Sequence, residues 1–208
     1  MNILVTNDDG ISSPGIWALA QALSRVGSVQ VMAPDKQRSG TGTSVTMNRS
    51  SVAITEVPSR IPGVQAYAIG GTPCDCVFLG VRRLKKAHID LLVSGINLGP
   101  NVGYDIPYSG TVMATLAGHF LGIPSVVVSL AFQNSEEEMR FDAAGCVAES
   151  LARCIEKGAM MTDAILNVNV PNIPPELVKG IMVTRAAHLW YVSLLNSSAC
   201  GAISNDAK

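Results

Sequence analysis

Ile3-Leu4-Val5-Thr6-Asn7-Asp8-Asp9-Gly10 is the stretch on which the reading of the chain turns. Residues 2–6 read as a short buried strand. It runs straight into two adjacent carboxylates. Neighbouring carboxylates repel each other and are costly to desolvate. A fold that sets both at the mouth of a buried strand has use for a cation there. Hard divalent ions such as Mg²⁺ and Mn²⁺ take carboxylate, amide and hydroxyl oxygens. Asp8 and Asp9 are therefore the first candidate metal ligands. The competing role is local, since Asp also caps helices and shapes turns with a residue such as Gly10.

Working outward, strand-like and helix-like segments alternate. Ser13-Pro14 offers an N-cap and a first-turn proline to a helix carrying Ile16, Leu19, Ala20 and Leu23 and closing at Gly27. Val29 to Ala33 reads as a strand, and the polar stretch from Lys36 to Asn48 as a functional loop. Val52 to Val57 and Val64 to Ile69 predict a hairpin around Pro62-Gly63. Thr72-Pro73 opens a helix to about Lys86, and Ile89 to Val93 is a buried strand followed by a second special loop, Ser94 to Ser109. A helix over Gly110 to Leu121, a strand over Ser125 to Leu130 and an amphipathic helix over Glu136 to Lys157 follow. Strands at Ile165 to Val170 and Ile181 to Val183 complete the pattern. This order predicts an α/β fold: a Rossmann-like three-layer αβα sandwich with a mostly parallel sheet and a small β-hairpin extension. Ligands of such sheets sit at the carboxyl ends of the strands. The segments 7–10, 36–48 and 94–111 all follow predicted strands and can converge there.

The 208 residues, 48% of them hydrophobic, are enough for one substantial domain. With 15 basic and 16 acidic residues there is no basic excess of the kind a nucleic-acid surface needs. No apolar run approaches the roughly 18 residues of a membrane span, and the start lacks a basic n-region. The expectation is a cytoplasmic protein with no membrane and no nucleic-acid partner. Five unevenly spaced cysteines, Cys74, Cys76, Cys146, Cys154 and Cys200, argue for mostly buried free thiols rather than a disulfide framework.

The later loops add chemistry. Ser94-Gly95-Ile96-Asn97-Leu98-Gly99-Pro100-Asn101 places glycines, where a backbone can approach a ligand, beside the neutral oxygens of Asn97 and Asn101. These amides suit a metal shell or a substrate, and ordinary Asn-Gly turn chemistry is the competing account. Tyr108-Ser109-Gly110-Thr111 opens a helix, and free N–H groups there make an anion seat. In the long loop, Ser39 offers a metal-binding oxygen and Arg38 a phosphate partner, though the same residues also suit a plain surface loop. A hard cation beside an anion-binding helix end, with no evident covalent nucleophile, fits hydrolysis of a phosphate ester.

The same residues carry a family resemblance. Ile3 to Gly10 with Pro14-Gly15, Ala33-Pro34-Asp35 through Arg38-Ser39-Gly40, Gly70 to Val77, Asp90 to Asn97 with Gly99 and Asn101, and Tyr108 to Val112 resemble, collinearly to about Arg185, the SurE family of stationary-phase survival proteins. The resemblance implies a metal-dependent nucleotidase acting on nucleoside 5′- and 3′-monophosphates, and on short polyphosphate in some members. It implies one divalent cation per subunit, Mg²⁺ or Mn²⁺, on Asp8, Asp9, Ser39 and Asn97. Asp8 and Asp9 would be catalytic, with Asn101, Ser109, Gly110 and Thr111 at the phosphate. It also implies a homodimer or tetramer. On this reading residues 1–185 form the nucleotidase domain and 186–208 a divergent or truncated tail, the C-terminal arm being shortened relative to the family. A member that binds nucleotide with reduced activity is one alternative. A haloacid-dehalogenase-like phosphatase is disfavoured because its two carboxylates are spaced Asp-x-Asp. A receiver-like Mg²⁺-binding switch domain is disfavoured because Asn97 stands where that reading needs an acceptor Asp.

Overall fold

The computed structural model describes residues 1–47, 50–84, 88–132, 136–160, 163–186 and 188. Among these, strands and helices alternate as β1 (Asn2–Thr6), α1 (Pro14–Leu23), β2 (Ser28–Pro34), β3 (Ile54–Glu56), β4 (Gln65–Ile69), α2 (Pro73–Arg83), β5 (Leu91–Leu98), α3 (Gly110–Phe120), β6 (Ser125–Ala131), α4 (Asp142–Glu156) and β7 (Ile165–Pro171). All strands join one sheet in the order β3-β4-β2-β1-β5-β6-β7. Every pairing is parallel except β3 on β4, so the expected hairpin forms one edge of the sheet.

Successive strand residues point to opposite faces, and each face has its own core. Ile3, Val5, Val93 and Val128 pack under α1 and α4, against Ile16, Leu19, Ala144 and Leu151. Leu4, Met32 and Leu92 pack under α2 and α3, against Cys76, Val77, Ala114 and Ala117. Near the carboxyl ends of the strands the second face turns polar, with Thr6, Ser94 and Ser129 fully buried there. The winding reverses beside β1, which has β2 on one side and β5 on the other. That is the crevice where open α/β sheets bind ligands.

Several elements differ from the sequence reading, among them β3, which covers only Ile54–Glu56. β5 starts at Leu91 rather than Ile89 and does not stop at Val93 but continues through Leu98, with a bulge between Gly95 and Asn97. Pairing with β6 satisfies the backbone there and overrides the weak strand preference of Gly and Asn. α4 begins at Asp142 rather than Glu136. The preceding residues are held otherwise: Asn172 accepts the Arg140 N–H and donates to Glu137 and to the Glu138 carbonyl. α1 ends at Leu23, with Ser24 and not Gly27 as its C-cap, and Ser13 makes no side-chain cap bond. Ile181 to Val183 forms no strand and is exposed, Val183 at 97%. Cys74 and Cys76 are buried free thiols as expected, but Cys146 is exposed; Cys200 lies outside the described residues. So does most of the tail 186–208, and with it the nature of that segment.

Candidate active site

β1 delivers the carboxylate pair to the reversal point through a locked turn. The Asn7 side chain accepts the Gly10 N–H and donates to the Gly10 carbonyl, both at 3.1 Å. Gly10 has φ +93°, and a Cβ there would stand 3.0 Å from the Lys36 backbone. Only glycine fits that conformation and that approach. Asp8 is consequently buried, at 3% exposure, and its carbonyl accepts the Arg38 N–H at 2.6 Å, which ties the long loop to the turn.

β5 brings Asn97 to the same place. Its neighbour Leu98 donates its N–H to Asp9 Oδ2 at 3.1 Å, while Asn97 Nδ2 donates to the Gly99 carbonyl at 2.7 Å. That bond leaves Asn97 Oδ1 oriented by the strand end. α3 closes the group from the other side. The Thr111 hydroxyl donates to Asp8 Oδ1 at 2.6 Å and lies 3.2 Å from Asn97 Oδ1. One hydroxyl thus gathers an oxygen from the turn after β1 and one from β5.

Electrostatics point the same way. Burial pushes the Asp8 carboxyl up, against the Thr111 hydroxyl and the backbone N–H groups of Thr111, Asp8 and Gly110. The N-terminus of α3 is therefore aimed first at Asp8. Burial also raises Asp9, to about 6, with the Asp8 charge adding and the Leu98 N–H opposing. Two desolvated carboxyls that disfavour their own ionisation would both be relieved by a cation. The oxygens of Asp8, Asp9 and Asn97 form the hard donor set that Mg²⁺ or Mn²⁺ accepts.

The remaining predicted residues take varied positions. Ser39 is exposed on the long loop, and its hydroxyl accepts from Gln37 Nε2 at 3.1 Å. Arg38 bonds Asp35 at 3.3 Å, and its buried Nε–H has no partner among the described residues, a donor that an anion would satisfy. Ser109 caps α3, its hydroxyl accepting the Val112 N–H at 3.2 Å. Gly110 is packed so closely that a Cβ would lie 2.9 Å from Thr41 Oγ1 and 3.0 Å from Asp8 Cβ. Asn101 is buried beside Ser129, to which it donates at 2.9 Å.

Sequence reasoning missed two supports. Asp75 is fully buried; its carboxylate accepts the N–H groups of Thr46, Met47 and Thr72 and so anchors the long loop to the start of α2. The Thr72-x-x-Asp75 spacing is a capping signal that would have found it. Asn167 and Asn169 contact Asn101, and two asparagines at alternate positions of an apolar strand were the available sign.

Comparison with known proteins identifies the family. The family model described as "Survival protein SurE" matches residues 3–192. The 5′-nucleotidase SurE of Dehalococcoides mccartyi (strain CBDB1) is 43% identical over 201 residues, covering 97% of this chain and 75% of the relative. The 5′/3′-nucleotidase SurE of Cronobacter sakazakii is 48% identical over 185 residues, covering 89% of this chain and 69% of the relative. The crystal structure of the SurE protein from Aquifex aeolicus superposes with a TM-score of 0.80 at 40% identity, over 89% of this chain and 72% of that one. A match that runs through the Asp8–Asp9 turn, the end of β5 and the start of α3 places the chain in the SurE family.

Proposed function

We propose that the chain is a metal-dependent nucleotidase that hydrolyses nucleoside 5′- and 3′-monophosphates to nucleoside and phosphate. The names of the relatives, 5′-nucleotidase and 5′/3′-nucleotidase, support the substrate class. The observation that carries the mechanism is the buried group of Asp8, Asp9 and Asn97, gathered by Thr111 at the reversal point of the sheet. Asp8, Asp9 and Asn97, with Ser39 from the long loop, would hold one Mg²⁺ or Mn²⁺. Such an ion, when bound, supplies Lewis acidity toward phosphoryl oxygens and lowers the pKa of a water.

The chain's own residues do the positioning. Thr111 and the start of α3 fix Asp8, so that carboxylate is a rigid reference point. Asp9 is less buried, and on this reading it is the carboxylate that orients an attacking water. Asn101, Ser109, Gly110 and Thr111 would line the phosphate side, and the Arg38 Nε–H, without a partner among the described residues, would supply a further donor for an anion. Short polyphosphate presents a similar terminal phosphate and is a second substrate class for the same groups.

Phosphate release from a panel of 5′- and 3′-monophosphates tests this, with Mg²⁺ or Mn²⁺, with and without EDTA, beside Asp9→Asn. Expected are turnover by the wild type with metal, loss on chelation, and a fall of at least about a hundredfold in the variant. Turnover indifferent to both chelation and substitution would sink the metal mechanism.

A further inference from the structure

We propose that Asn167 and Asn169 of β7 are positioning residues for the phosphate side of the site, acting through Asn101. This rests on the nucleotidase reading, because it takes Asn101 as a phosphate ligand. The two asparagines are two apart and share one face of β7, in register with Val127 and Ser129 of β6. Asn169 is half-buried and Asn167 exposed, so solvent could satisfy part of either amide. Both are turned on a single residue.

Asn169 Oδ1 accepts the Asn101 N–H at 2.8 Å, and its Nδ2 donates to the Asn101 carbonyl at 3.2 Å. Asn167 Nδ2 donates to the same carbonyl at 2.9 Å. The Asn169 side chain therefore pairs with the peptide groups of residue 101 as a neighbouring strand would. Asn101 Nδ2 donates in turn to Ser129 Oγ at 2.9 Å, and Asn101 is only 5% exposed. Its backbone and one amide N–H are fixed by the sheet. Among the described residues the Asn101 side chain makes only the bond to Ser129, which leaves its second amide N–H and Oδ1 for a ligand. Both ends of the Asn169 amide and Nδ2 of Asn167 are engaged by the Asn101 peptide, so their part is to place a phosphate-binding group.

A double-mutant cycle tests this. Kinetics are measured on a nucleoside monophosphate for Asn169→Ala, Asn101→Ala and the double variant, with hydrogen–deuterium exchange at residues 99–102. Asn169→Ala is expected to lower kcat roughly ten- to a hundredfold while KM changes less than about threefold, and to speed exchange at 99–102. Placed on Asn101→Ala it should lower kcat no further, because the group it positions is gone. Asn167→Ala keeps the paired Asn169 bonds and should give a smaller fall, and the same cycle with Asn167→Ala decides the matter if Asn169→Ala fails to fold. Losses that multiply in the double variant, or an unchanged kcat in both single variants, overturn the proposal. A wild type that releases no phosphate refutes the nucleotidase reading alone. The clamp is then judged by exchange, and unchanged exchange at 99–102 in Asn169→Ala overturns it.

Discussion

Asp9 shows at the scale of one residue how a buried carboxylate works against stability. Its carboxyl titrates near 6 instead of the ordinary 3.8, chiefly through burial and then through the Asp8 charge. A raised folded value means that the folded state holds the proton more tightly. Between about 3.8 and 6 the unfolded chain releases its proton first, so folding loses stability as pH rises, and above 6 the loss is complete. Asp9→Asn should therefore stabilise the metal-free protein by about 1–3 kcal/mol at pH 7 and by almost nothing near pH 4. Urea unfolding in EDTA at the two pH values checks this, and an equal gain at both would refute the assignment. The two aspartates were legible in the sequence as hard donors, whereas Asn97, suited by its own loop to a metal or a substrate, joined them, with Ser39, only through the family resemblance. The Thr111 contact was not legible, because no local rule says which hydroxyl of a helix start reaches a turn 103 residues earlier.

The long loop and α2 belong to the scale of elements. The loop has little apolar periodicity, and its described part, residues 36–47, takes its order from outside itself. Asp75 supplies much of it through Thr46 and Met47, while the Gly42 N–H donates to the Tyr108 carbonyl at 3.0 Å. Burial pushes the Asp75 carboxyl up, but the N–H groups of Thr72, Met47 and Thr46 outweigh it and hold the value below 3.8. A lowered folded value stabilises above the unfolded one, and that contribution disappears as pH falls through the folded value. Asp75→Asn should cost about 1–3 kcal/mol at pH 7, with a smaller penalty near pH 3. Thermal unfolding of both proteins across this range decides it; a penalty that does not shrink with acid points to shape and not charge. The helix start at Thr72-Pro73 was readable from local signals. Its second task, holding the loop that carries Arg38 and Ser39, was not.

For the whole molecule, the reversal of winding beside β1 brings together side chains from the turn after the first strand, the fifth strand and the third helix. A ligand that joins them should stabilise the entire fold. With free Mn²⁺ at about a hundredfold over its dissociation constant, the gain is about 2.7 kcal/mol, or roughly 5–10 °C in Tm. Calorimetry with Mn²⁺ or EDTA measures this, and Asp8→Asn should abolish the shift. A wild-type Tm unmoved by either would count against a cation at this place.

The sequence alone determined the alternation of strands and helices, hence the parallel sheet, and it marked the carboxylate pair. Both are local properties: apolar periodicity, caps, and charge beside a buried strand. It also marked β7, but not what its asparagines do. Tertiary structure decided the extension of β5 through Leu98, the late start of α4, the unpaired Ile181–Val183 segment and the contacts that Thr111, Asp75 and Asn169 make. Each depends on a partner distant in the chain. A backbone or side-chain polar group is satisfied by whatever the fold places within about 3 Å of it, and sequence spacing does not encode that distance.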